Sequence, residues 1–209
     1  MADFGQHLPL SQRRGGDESG VSADRRADIA DLLEEAARLL ADAPHAPEAP
    51  HAPNAPHAPH APDAQNAPDS PDPAALARTF LADAALRLDT DDLAAAAAAV
   101  RAGRRRRIRD LSRTLRALLV LADARGVPAA VAPPVVGAVA LYAATSAPFD
   151  RRAVVKGHTV RATDQDWGFG QGPVLAGTAD TIVRFLLGLS DVPPRRSAAT
   201  TDPAATVEE

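Results

Sequence analysis

Cysteine is absent from the 209 residues. That excludes a disulfide framework, a thiolate metal site and a cysteine nucleophile. Lysine is nearly absent too: Lys156 stands alone, and every other basic residue is arginine. With the excess of alanine, this reads as the coding bias of a GC-rich genome, so arginine content alone does not argue for phosphate recognition. Aromatic residues are 3% of the chain, too few for a surface that stacks on bases. Charge of either sign is not in excess. The formal net charge is -4, which argues against a chain-wide polyelectrolyte role and leaves local patches open. A long, clean apolar run is also missing. The nearest, Val127–Ala144, is broken by Pro128, Pro133 and Pro134 and reads as a buried helix after a turn. The stretch MADFGQHLPLSQRRGG lacks the apolar core of a signal peptide. The expected address is the cytoplasm, with no membrane partner.

What is there falls into five segments. Residues 1–22 are polar and glycine-containing and are expected to be disordered. Residues 23–42 carry Ile29, Leu32, Leu33, Ala36, Leu39 and Leu40 at helical spacing, with Ser22 before them as an N-cap. They are expected to form an isolated amphipathic helix. Residues 43–73 repeat the triplet x-Ala-Pro, and proline at every third position forbids helix and sheet. A polyproline II linker is expected, with the x positions along one edge. Residues 74–192 are the expected folded body. Helical stripes run from Pro73 to Leu88, from Asp92 to Gly103, along the arginine-rich stretch to Gly126, and over Val135–Ala144. After Pro148 the period changes: AVVKGHTVRAT alternates as a strand, DQDWGFGQGP is turn chemistry, and VLAG is a short partner strand. Thr178 to Gly188 is a capped terminal helix. Residues 193–209 form a polar tail. The fold class is therefore α+β, mostly α: a small helical bundle (74–147) with a C-terminal β-hairpin and terminal helix (148–192).

Three constellations could carry chemistry. The linker histidines, His45, His51, His57 and His60, could converge on a divalent metal, but a polyproline spacer supplies neither fixed geometry nor outer-shell support. No metal site is expected. The arginines Arg104, Arg105, Arg106, Arg107, Arg109, Arg113 and Arg116 give a basic patch fit for nucleic acid, an acidic partner or a solvated helix face paired with nearby acids. The third is the stretch Gly157–Pro173, with His158, Asp164 and Trp167 as ligand-binding candidates. No nucleophile elbow, phosphate loop or metal-ligand spacing accompanies them. Turn chemistry explains the same residues: Asp164 caps the turn, Gly168, Gly170 and Gly172 supply positive φ, and Trp167 and Phe169 cover a small core. No catalytic residue is assigned.

The run from Lys156 to Gly188 resembles the C-terminal end of actinobacterial mycothiol-dependent maleylpyruvate isomerase-like proteins. The matching positions are Ala162, Thr163, Asp164, Trp167, Gly172, Pro173, Gly177, Ala179, Leu187 and Gly188, about a sixth of the chain in extent. In that family the metal and thiol chemistry belongs to a preceding DinB-like helical bundle that uses histidines. Here no histidine lies between His60 and His158. The resemblance thus implies the closing module without the catalytic site, and a fold-level likeness carries no chemistry. The expected function is a non-enzymatic, cytoplasmic accessory or interaction protein with no cofactor, docking a protein partner through the 23–42 helix. Two alternatives stand beside it. One is a mycothiol-dependent, metal-using transferase or isomerase with a degenerate or partner-supplied site. The other is a nucleic-acid-associated protein working through the arginine helix.

Overall fold

A computed structural model describes residues 23–41 and 72–197. The expectations for residues 1–22, for the linker histidines and for the tail beyond residue 197 lie outside the described residues. Within them the chain is α+β and mostly helical, with seven helices and one four-stranded sheet.

Local signals set most of the helix ends. Helix α1 is Arg26–Ala41. Asp24 accepts from the Arg26 backbone N–H at 3.2 Å at its start; the expected Ser22 cap lies outside the described residues. Helix α2, Pro73–Ala84, has Pro73 at its first turn and Asp72 as its cap, accepting from the Ala74 N–H at 3.0 Å. The apolar stripe continues to Leu88, but the helix does not, because Ala85 and Arg87 take left-handed conformations. Helix α3, Leu93–Ala102, is capped by Asp92 on the N–H groups of Ala94 and Ala95. Helix α4, Ile108–Arg125, begins after the four consecutive arginines, which form the α3–α4 loop. Helix α5 is Pro133–Ser146. Helix α6, Phe149–Val155, replaces the first part of the expected strand. Helix α7, Ala179–Leu187, has the expected Thr178 cap and Gly188 stop.

The hairpin is present, with a different second strand from the one the alternation suggested. Strand β1, Thr159–Ala162, pairs antiparallel with β2, Gly168–Gly170, which lies inside the stretch read as a turn. Strand β3, Val174–Gly177, pairs with the other side of β1 and runs parallel to it. Strand β4, Arg195–Arg196, then pairs with β3, so this part of the expected polar tail belongs to the sheet. Val160, Ala162 and Leu175 point into the core, and Arg161 and Val174 face outward.

Helix α4 is the centre of the molecule. It touches α1 and α2 on one side and α5 and α7 on the other. Leu111, Leu115, Leu118, Leu121 and Ala122 are all buried along it. Helix α1 is not isolated, which corrects the expectation for residues 23–42. It packs on α3 and α4, and Ile29, Leu33, Ala36 and Leu39 have no exposed surface. The physical reason is the alanine run of α3. Ala96, Ala97 and Val100 are buried there, and such small side chains let two helices approach closely. The apolar face offered to a partner is therefore already covered by the chain itself.

Ion pairs reinforce that packing. Arg101 of α3 donates to Asp31 at 2.8 Å and to Glu34, both on α1. Hydrogen bonding to Glu34 and Asp31 raises the Arg101 pKa above its ordinary value, and the same contact lowers that of Glu34. Glu35 accepts from Arg38 at 2.6 Å and from the Ala130 backbone N–H at 2.6 Å, tying α1 to the loop before α5. The Arg38 guanidinium, helped by that N–H, holds the Glu35 carboxyl below its ordinary range against the opposing effect of burial. For Asp24, burial acts to raise the pKa, but the N–H groups of Arg106 and Arg26 and the Arg26 guanidinium outweigh it. All three carboxyls have folded-state pKa values below their unfolded ones. Their contribution is therefore complete above the ordinary carboxyl values and is lost as pH falls through the lowered ones. Glu35→Gln should lower the unfolding midpoint at pH 7 by about 2–4 °C, the shift that ~1 kcal/mol gives in a chain of this size. The gap between variant and parent should close once Glu35 is protonated in the folded state, which happens below its ordinary value of 4.5. Thermal melts across that range check this, and a gap that persists in acid would remove the electrostatic account.

Candidate functional site

The stretch singled out by its composition becomes one rigid corner. Loop residues 163–166 join β1 to β2, closed by the Ala162 N–H donating to the Trp167 carbonyl at 3.1 Å. Asp164 sits in this loop, and its carboxylate accepts from the Ala179 N–H at 2.7 Å. Thr178 accepts from the Thr181 N–H at 3.2 Å. Two donors of the first turn of α7 are thus satisfied by side chains, one of them fifteen positions away in sequence. The expectation that Asp164 caps its own turn is corrected: it caps the next helix.

Trp167 and Phe169 do cover the core, over α5. A Cβ built on Gly137 would lie 3.1 Å from the Trp167 ring, so the indole rests on the one α5 position without a side chain. The two rings stack with centroids 6.2 Å apart and planes 6° from parallel. The Trp167 Nε1–H donates to Gln165 Oε1 at 2.7 Å. His158 lies at the other end of β1, with Nδ1 3.1 Å from the Lys156 carbonyl oxygen. A strand rises about 3.3 Å per residue, so the six-residue step from His158 to Asp164 spans up to ~20 Å. The three ligand-binding candidates are not brought together. His158 lines a cleft with Phe149, Arg152, Lys156 and Phe169. Asp164 lines a different groove of about 920 Å³ on the outer face of the sheet, with Arg161, Thr163, Gln165, Asp166 and Ser197.

That groove carries charges of both signs and two hydroxyls, with no imidazole among its lining residues to activate them. Among the described residues no group of three or more His, Asp or Glu side chains is placed to hold a metal ion. The donor set that a metal-using mechanism would need is therefore not assembled by the described residues.

The basic patch separates into two sets. Several arginines donate to carbonyls at or just beyond the C-terminal ends of helices, where unpaired carbonyls and the helix dipole favour a cation. Arg106 Nη2 donates to the Leu86 carbonyl at 3.1 Å, and Arg116 Nε to the Leu187 carbonyl at 3.3 Å. Outside the patch, Arg125 reaches the Leu39 carbonyl, and Arg26 reaches that of Gly103 at 2.7 Å. Arg151 spans Phe185, Ser190 and Asp191, with its guanidinium over the Phe185 ring. Arg106 and Arg116 are thus bound into the fold. Arg104, Arg105, Arg107, Arg109 and Arg113 remain, all exposed and without a carboxylate partner within ion-pair reach among the described residues. Sequence reasoning missed this division because each capped carbonyl lies tens of residues from its arginine. Helix α6 did leave a signal: Pro148 precedes it, Asp150 is in its first turn and Arg152 in its last.

The class defined by fold and site is a mostly helical α+β protein whose small sheet closes over α5 and α7. No family model, curated protein or solved structure matches the chain. No helix among the described residues is long and apolar enough to cross a membrane.

Proposed function

We propose that this chain is a cytoplasmic interaction protein and not a catalyst, related to the closing module of the mycothiol-dependent maleylpyruvate isomerase-like proteins without their metal half. The observation that supports this reading is the use of Asp164. The acid nearest to a catalytic role spends one oxygen on the N-terminus of α7, and its neighbour Trp167 is committed to Gln165 and to the surface of α5. A catalytic acid or base must keep its oxygen within reach of a substrate proton. The partner surface is then sought among the uncommitted arginines and the grooves beside them, not on α1.

The test is metal analysis of untagged protein with a thermal-shift assay against mycothiol. The expected result is no stoichiometric divalent metal and no shift. A stoichiometric metal together with a mycothiol-dependent rise in midpoint would overturn the reading in favour of a metal-using enzyme. Ligand binding stabilises by mass action, so a true site would register at concentrations well above its Kd.

A further inference from the structure

One groove combines the uncommitted arginines with an uncovered apolar floor. It measures about 780 Å³ and lies between the start of α1, the start of α4 and the outer side of α5. Ile108, Ala138, Leu141 and Tyr142 form its floor. Leu141 is 53% exposed, while no other leucine among the described residues is exposed. Arg25, Arg105 and Arg107 form the rim. Arg25 is paired with Asp28 at 3.1 Å, while Arg105 and Arg107 meet no carboxylate there. The surface therefore asks for a short segment with acids for two guanidiniums and one apolar side chain for the floor.

The chain itself enters at this place. Ala23, the first described residue, lines the groove. The residues immediately before it are Asp17-Glu18-Ser19-Gly20-Val21-Ser22. At no more than about 3.6 Å per residue, all six lie within ~22 Å of Ala23. They hold two acids and one aliphatic side chain. Arg13 and Arg14 are set apart from them by Gly15 and Gly16.

We propose that residues 17–22 dock across this groove, with Val21 over Leu141 and Asp17 and Glu18 against Arg105 and Arg107. A nucleic acid is the poorer occupant. The floor is apolar with a single aromatic ring, and Asp24, Asp28 and Asp110 interrupt the positive stripe at the same end. Docking would mask the basic groove by the chain's own acids. The inference does not depend on the interaction reading, since a catalytic chain could fold its N-terminal segment in the same way.

The absence of cysteine gives a clean test. Ser19→Cys in the full chain carries a single nitroxide, and methyl resonances report its neighbourhood. The expected result is loss of the Leu141 and Ile108 methyl signals with those of Leu175 and Val183 retained. Adding Arg105→Glu and Arg107→Glu should restore the lost signals. Undiminished Leu141 and Ile108 signals in the labelled chain would overturn the proposal. So would signal loss that requires mixing spin-labelled with isotope-labelled copies, which would place a second copy in the groove. Duplex DNA binding offers the third arm. Asp17→Ala with Glu18→Ala should strengthen it by exposing the arginines; tight binding that is equal in parent and variant would show the groove open to a polyanion and would also overturn the proposal.

Discussion

Leu33→Asp should abolish cooperative unfolding of the whole body, not only detach one helix. Leu33 has no exposed surface, and its neighbours Ile29, Leu32 and Leu39 are buried with it between α3 and α4. Burying four large aliphatic side chains contributes about 1.5–3 kcal/mol each, or ~6–12 kcal/mol together. Total stabilities of single domains are about 5–15 kcal/mol. The first helix therefore supplies a share comparable with the whole margin, and an unpaired carboxylate at its centre removes most of it. Leu33→Ala is the graded version and should cost about 2–5 kcal/mol. Circular dichroism reports all the helices and Trp167 fluorescence the sheet corner far from Leu33 in sequence, and both transitions should move together. Val192→Asp, at an exposed position outside the Leu141 groove, is the control and should leave the midpoint nearly unchanged. The same reasoning predicts that a chain cut between residues 42 and 71 keeps its two fragments together through gel filtration. A body that melts as before with Leu33→Asp in place would return α1 to the status of a tethered appendage.

That contrast marks where the sequence was legible. The α1 stripe is readable at Ile29, Leu32, Leu33, Ala36 and Leu39, because 3.6-residue spacing is a local property. Its destination is not, because the surface that receives it is an alanine run some sixty residues on, and alanine at every position shows no preferred face. The proline-rich stretch between them argued for separation by composition alone. Caps were legible for the same local reason: Asp72, Asp92, Thr178, Gly126 and Gly188 sit where the helices start and stop. Asp164 was seen as a cap and assigned to the wrong element, since its target N–H is fifteen residues downstream. Ala153–Val155 looked like a strand because of its β-branched pair. It is helical, with Arg151 drawn to the α7 C-terminus and Val155 buried as part of α6. Weak propensity yields to such tertiary contacts. The arginine patch failed similarly: charge counts see seven residues, whereas the fold binds two of them to carbonyls and leaves five at the surface.

The second large effect should come from two glycines of the corner. Gly172→Ala and Gly170→Ala should each destabilise the protein by about 3 kcal/mol or more, from left-handed strain of ~1–3 kcal/mol plus a backbone clash. Gly170 has φ of 89° and Gly172 of 115°. A Cβ at Gly170 would fall 2.3 Å from the His158 carbonyl oxygen, and one at Gly172 would fall 2.2 Å from that of Gly157. Neither oxygen can give way cheaply. Both belong to the backbone leading into β1, whose Thr159 pairs with Gly170 on one side and Val174 on the other. The Thr159 hydroxyl also donates to the Gly172 carbonyl at 3.1 Å. Relief of the clash must therefore pull β2 or the 171–173 turn off the sheet, and β2 is what carries Phe169 against Trp167. Gly157 separates the two causes. Its φ is 76°, but no atom lies within 4 Å of a built Cβ. Gly157→Ala should thus show the strain without the clash and cost about 1–2 kcal/mol. Denaturant titration followed by Trp167 emission measures all three on one scale. The expected order puts both hairpin variants below Gly157→Ala, with an emission change in the native baseline of the hairpin variants alone. Equal costs for all three would mean that the close approach of the two backbones contributes nothing. The corner would then be held by the aromatic cover and the Asp164 cap, not by the glycines that first drew notice to it.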